Sequence, residues 1–179
     1  DRTWEIVKNY SKSKKNIHLI IREKKSGLDT AHKLAYEYSL NNNYDYLITI
    51  DADLTHDPKK IPEFIKELKN HPFVLGSRFV EGGSLDTTGW RRALSIFGNK
   101  FIKIIFGINS NEFTTAFRGY DLKKLENFDL RDVKSKGYSF FMESLYRLNK
   151  NNYEILEIPI FFKNRTAGKS KIPKIEISR

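Results

Sequence analysis

Cysteine is absent from the 179 residues, which excludes disulfide staples, thiolate metal sites and cysteine redox chemistry. That absence suits the cytosol or the cytosolic face of a membrane. Methionine occurs once, at Met142, and position 1 is Asp1, so the sequence reads as a piece of a longer protein. No secretory leader is visible. Nor is any apolar run long enough to span a bilayer: residues 97–108, the most apolar stretch, are broken by Lys100 and Lys103 and fall well short of about 20 residues. Acidic residues are scarce beside basic ones, 22 against 32, and the resulting charge of +10 favours an anionic partner. Nucleic acid, an anionic membrane surface and phosphorylated small molecules all qualify, while lysines such as Lys12, Lys14, Lys15, Lys123 and Lys124 also serve simply to keep a surface solvated.

What is present is enough for one compact domain, since 39% of the residues are apolar. The apolar pattern alternates between two periods. Residues 3–10 and 30–40 read as helices, 17–21 as a strand, and 46–50 as a buried strand that ends in Asp51. A helix follows from about Lys59, with Pro62 tolerated in its first turn, then a short strand over 73–76. This βαβ rhythm predicts an α/β fold, a mainly parallel twisted sheet with helices on both faces.

Beyond Ser77 come turn residues around Gly82, Gly83 and Gly89, then a helical segment from Trp90 that mixes large apolar residues with Arg91, Arg92, Lys100 and Lys103. Such a segment either lies in a membrane interface or packs on the sheet with its cations in water. The last third offers a helix over 138–149, a strand over 155–162 and a basic tail over 163–171.

The strongest chemical signal is Asp51-Ala52-Asp53 at the end of a buried strand. Ligands of open α/β sheets collect outside the carboxyl ends of strands, so both carboxylates face a crevice. Two such oxygens suit Mg²⁺ or Mn²⁺ bridging to nucleotide phosphates. The same residues, running on through Asp57-Pro58, also suit a turn and helix N-cap.

Four further segments follow in order: Gly76-Ser77-Arg78-Phe79-Val80, Thr114-Thr115-Ala116-Phe117-Arg118-Gly119-Tyr120, Gly137-Tyr138-Ser139-Phe140 with Glu143, and Arg165-Thr166-Ala167-Gly168-Lys169-Ser170-Lys171. Together with Asp51 to Pro58, this series resembles the polyprenyl-phosphate (dolichyl-phosphate) mannose synthases of glycosyltransferase family 2, over essentially the whole chain. The resemblance implies a GT-A (Rossmann-like) fold, a GDP-mannose donor, a divalent metal, inversion at the anomeric carbon and a polyprenyl or dolichyl monophosphate acceptor. It further implies a single catalytic domain over 1–179 that lacks its first strand and part of its C-terminal end, because Asp1-Arg2-Thr3 matches the end of the family's base-reading motif.

Residue by residue, the resemblance gives Asp51 and Asp53 to metal and diphosphate, with Thr55 where some relatives have a coordinating glutamine. Gly27, in the segment 22–28, lies over the nucleotide; Arg165 and Lys171 close over the donor diphosphate, with Gly168 as hinge. Because a lipid phosphate is already an anionic nucleophile, the acceptor needs cations to hold it more than a base; the candidates are Arg78, Arg92 and Arg118, with the Ser95 hydroxyl. Asp53, Arg118 and Glu143 are the candidate catalytic residues. Glu112 stands where relatives carry aspartate, and Ala116 where they carry glycine or serine. The expected partners are the nucleotide-sugar donor, the lipid phosphate, a membrane surface and, in one branch of the family, small membrane-anchoring subunits, at the cytosolic face of the endoplasmic reticulum or plasma membrane. A UDP-sugar transferase such as a polyprenyl-phosphate glucose synthase is the nearest rival. A basic nucleic-acid-binding module is the remote one; no motif for it is present, and nucleic acid is not an expected partner.

Overall fold

The computed structural model describes residues 2–85 and 90–163. In chain order its elements are α1 (Thr3–Ser11), α2 (Leu28–Asn41), β1 (Tyr46–Thr49), α3 (Ile61–Leu68), β2 (Phe73–Ser77), β3 (Ser84–Leu85), α4 (Trp90–Phe106), β4 (Arg118–Asp121), α5 (Tyr138–Lys150), β5 (Ile155–Pro159) and β6 (Phe161–Phe162), with 3-10 turns at Pro58–Lys60 and Leu130–Asp132. The turn before α3 starts where the sequence suggested a cap: the Asp57 carboxylate accepts the Lys59 amide at 3.0 Å.

The principal sheet runs β1-β4-β2-β5, and β3 pairs with β6 in a separate two-stranded sheet. β2 and β5 are parallel, whereas β4 lies antiparallel to both β1 and β2. Three strands therefore share one direction, but the sheet is mixed rather than uniformly parallel. The connection from β1 through α3 to β2 leaves a gap one strand wide, and β4 fills it on the way back from the long excursion through α4.

Alternation along the strands separates two apolar layers. Leu47, Phe73 and Leu75 face α2 and α5, with Tyr36, Phe140, Phe141, Leu145 and Leu148. Val74, Phe117 and Ile158 face the other way, onto Phe64 and Leu68 of α3. Gly119 is required in β4, because a Cβ there would sit 3.0 Å from both Phe64 and Leu68.

Two expected strands change. Residues 17–21 form no strand; Ile20 and Ile21 are exposed, and among the described residues no neighbouring strand offers them a ladder. The expected strand over 155–162 breaks after Pro159 into β5 and β6, which pair in different sheets.

The strand directions determine where a site can form. The carboxyl ends of β1, β2 and β5 and the amino end of β4 all lie on one edge, so Asp51, Arg78, Phe161 and the segment 112–117 converge there.

Candidate active site

Asp51 and Asp53 follow β1 on this edge, in a tight loop in which Leu54 adopts φ 65° and is 68% exposed. Asp53 Oδ1 accepts the Thr55 hydroxyl at 2.6 Å and the Thr55 amide at 3.2 Å, so Thr55 serves the loop rather than the crevice. Under this loop sits His56, its side chain 0% exposed. Asp51 N donates to its Nδ1 at 3.4 Å, and Nε2 faces Thr115 Oγ1 at 3.3 Å. Burial holds the His56 pKa at about 4, with Arg78 pulling the same way against the charge of Asp53, so the ring is neutral.

Among the described residues no group of three or more His, Cys, Asp or Glu is placed to hold a metal ion. A cation shared with nucleotide phosphates needs fewer protein ligands, because Mg²⁺ keeps waters and binds through one or two carboxylates plus substrate oxygens. The part-exposed Asp51 and Asp53 fit that kind of site and do not fit a stand-alone metal centre.

Arg78 leaves the end of β2. Its Nε and Nη2 donate to Glu112 at 2.6 and 2.7 Å, Nη2 also reaches Thr114 Oγ1 at 2.8 Å, and the guanidinium lies between the rings of Phe79 and Phe162. Burial alone would raise the pKa of Glu112, but the charge and hydrogen bonds of Arg78, aided by Thr114, bring it below the usual carboxylate range. Glu112 is therefore a fully buried anchor for Arg78, not a group presented to a ligand.

A cleft of about 320 Å³ opens beside Arg78. Phe79, Val80 and Ile96 form its apolar lining, and Arg78, Lys100 and Lys103 its cationic one. Lys103 is steadied by Asn111 Oδ1 at 3.1 Å, and Asn111 in turn donates twice to Glu157. Ser95 lies on α4 one turn before the lining residue Asn99, whose amide donates to the Ser95 carbonyl. The outer stripe of the same helix is bare: Phe97, Phe101, Ile104 and Ile105 are 58–79% exposed, while Asn99 and Ile102 face the protein. The sequence left open whether this helix hides its apolar side on the sheet, and among the described residues it does not.

Arg118 does not reach the crevice. It is 0% exposed, and its donors go to the carbonyls of Thr115, Phe113 and Phe141 and to Ser144 Oγ, with the guanidinium 4.4 Å from the Phe141 ring. As a candidate for acceptor phosphate it is corrected: it braces the 113–115 segment against α5. Glu143 also has a structural engagement, accepting the amides of Lys134 and Ser135 and the Arg147 side chain. Burial would raise its pKa, but those hydrogen bonds outweigh it and hold the carboxyl at about 2.

Gly27 precedes α2 with φ 103°, and a Cβ there would lie 2.7 Å from Asp29 Oδ1. Arg22 closes the segment by donating to the Gly27 carbonyl at 2.9 Å. Arg165, Gly168 and Lys171 lie outside the described residues, as does the side chain of Arg92. Lys163, the last described residue, donates its amide to the Thr55 carbonyl at 3.1 Å. His56 is the member of this cluster that the sequence reading did not single out; a histidine between Asp53 and Asp57 was the signal available.

The molecule thus presents two carboxylates after one strand of an α/β sheet and, on the same edge, a braced arginine beside a half-apolar cleft. Residues 1–128 match the glycosyl transferase family 2 model, so the chain belongs to that family and its fold is of GT-A type. It is 32% identical over 160 residues to the undecaprenyl-phosphate mannosyltransferase of Micrococcus luteus, covering 88% of this chain and 65% of that protein. It is also 32% identical over 158 residues to the polyprenol monophosphomannose synthase of Mycolicibacterium smegmatis, covering 87% and 60%. The chain thus spans under two thirds of the length of these relatives.

Proposed function

We propose that this protein transfers mannose from GDP-mannose to a polyprenyl or dolichyl monophosphate, with inversion at the anomeric carbon. The observation that carries this reading is that the Asp51/Asp53 loop lies on the same sheet edge as Arg78, which lines a cleft that is cationic on one side and apolar on the other, the chemistry of a phosphate that bears a hydrocarbon chain. The names of the two relatives supply the sugar and the lipid.

In this reading Asp51 and Asp53 hold Mg²⁺ or Mn²⁺, which supplies charge neutralisation for the departing diphosphate. Arg78, kept rigid by Glu112, presents its remaining N–H groups to the lipid phosphate, with Lys100 and Lys103 as the neighbouring cations and Arg92 and Ser95 from the first turns of α4. The phosphate oxygen attacks the anomeric carbon directly, and the protein's task is alignment of the two substrates and exclusion of water. Gly27 lets backbone approach the nucleotide, and Arg165 and Lys171 supply cations to the diphosphate. The bare stripe of α4 lies in the headgroup region of the cytosolic face of a membrane, which brings the cleft with Lys100 and Lys103 to the lipid surface. No helix among the described residues is long and apolar enough to cross a bilayer.

Replacing Asp53 with alanine in the full-length protein tests the reading through transfer of labelled mannose. Turnover should fall by about 10²-fold or more, in line with loss of an electrostatic stabiliser of the leaving group. Wild-type turnover in Asp53→Ala would remove the metal and diphosphate assignment.

A further inference from the structure

His56 closes a circuit of contacts behind the crevice. From Asp51 the circuit passes to His56 Nδ1 at 3.4 Å, from His56 Nε2 to Thr115 Oγ1 at 3.3 Å, and from the Thr115 amide to Glu112 Oε1 at 3.2 Å. Glu112 then holds Arg78 at 2.6 and 2.7 Å. The Arg78 guanidinium lies 5.2 Å from the Phe162 ring, and Phe162 meets the His56 ring edge-on at 5.2 Å. Burial alone does not explain an imidazole here, since phenylalanine would pack as well against Phe117 and Phe162. What imidazole adds is an acceptor on one edge and a donor on the other. The backbone N–H of Asp51 can only donate and lies nearer to Nδ1, at 3.4 Å, than Asp51 Oδ2 does at 3.9 Å, so we assign Nδ1 as acceptor and the proton to Nε2, facing Thr115.

We propose that His56 is a positioning residue whose two ring nitrogens fix the distance between the Asp51 loop and the Arg78–Glu112 pair, and so the register of donor and acceptor. The proposal rests on the assignment of those two groups to donor and acceptor. Loss of the link leaves each binding group in place but lets them drift relative to one another. A misplacement near 1 Å costs about 10²-fold in rate. The deficit therefore falls on kcat, with little change in KM.

The test uses the full chain and three substitutions. His56→Phe keeps the packing and removes both nitrogens, Thr115→Val keeps the shape and removes the hydroxyl, and Thr115→Ser restores the hydroxyl. One arm needs no turnover: nitrogen NMR should show the Nε2–H tautomer of His56, and both His56→Phe and Thr115→Val should displace the Arg78 Nε–H resonance while Thr115→Ser leaves it near its wild-type position. In the other arm His56→Phe and Thr115→Val should each lower kcat by about 10- to 100-fold with KM values within about 3-fold, and the double variant should be no slower than the slower single one. An Nδ1–H tautomer, an unmoved Arg78 resonance in His56→Phe, or additive losses would each overturn the proposal. A wild-type chain that transfers no sugar would instead overturn the functional reading, and the resonance arm would then decide the role of His56 by itself.

Discussion

Replacing Glu112 with glutamine should be among the most damaging conservative substitutions in the molecule. The Glu112 carboxylate is wholly buried and accepts from Arg78 Nε and Nη2, from the Thr114 amide and hydroxyl, and from the Thr115 amide, at 2.6–3.2 Å. An amide can accept at one oxygen only, so its NH₂ would point at another donor and the Arg78 guanidinium, 11% exposed, would keep an unpaired charge. Breaking a buried pair from one side costs about 3–5 kcal/mol. With a urea slope of about 2 kcal/mol/M, the midpoint of unfolding should drop by roughly 2 M. Removing both charges, as Arg78→Gln with Glu112→Gln, strands no ion and should cost at least about 2 kcal/mol less than the sum of the single variants. The assay is urea unfolding followed by circular dichroism. A loss under about 1 kcal/mol for Glu112→Gln, or additive behaviour of the pair, would refute the claim that Glu112 exists to hold Arg78.

Acid should weaken the fold well above the carboxylate range. His32, buried between Phe140 and Phe141, has its pKa drawn by burial and then by Arg118 to about 4, as burial does for His56. The unfolded chain protonates these rings near 6.5 and the folded chain near 4, so stability is full above 6.5 and declines as pH falls to about 4, by up to about 3 kcal/mol per histidine. Thermal melts of His32→Leu should show a flatter profile across that window, and an unchanged profile would count against the assignment. On α4, Phe101→Ser with Ile104→Ser should weaken binding to anionic vesicles by roughly 100-fold or more, as each side chain contributes about 1.5–3 kcal/mol when buried. Transfer to a short, water-soluble acceptor should hardly change, and equal vesicle binding by the double variant would show that this stripe does not meet the membrane.

The parts of this molecule that were legible in its sequence are those with a period or a fixed chemistry. Residues 46–50 announce β1 by large apolar side chains interrupted only by Thr49, and Asp51 and Asp53 stand out as a carboxylate pair at a strand end, a pattern that a turn and helix N-cap would share. β4 was not legible. Arg118, Gly119, Tyr120 and Asp121 have no strand-like composition, yet all four are buried, Gly119 because α3 presses on it and Arg118 because the backbone carbonyls around it take up its charge. The misreading of Arg118 as a ligand contact has the same origin: an arginine beside a motif looks like an anion site until its donors are traced. Residues 17–21 are rich in Ile and Leu as a strand is, but a strand is a property of two segments, and composition in one cannot show that a partner is there. His56 was visible but mute, since nothing in its neighbours tells that its two nitrogens face Asp51 and Thr115, which are 64 positions apart.

Radiolabelled sugar transfer to a short polyprenyl phosphate should be measured with the full-length protein, from GDP-mannose and in parallel from UDP-glucose, with Mg²⁺ or Mn²⁺ and after chelation. Transfer from GDP-mannose should occur, be lost on chelation and be restored by the divalent ion. Transfer from UDP-glucose alone, or transfer that persists without metal, would contradict the proposed reaction.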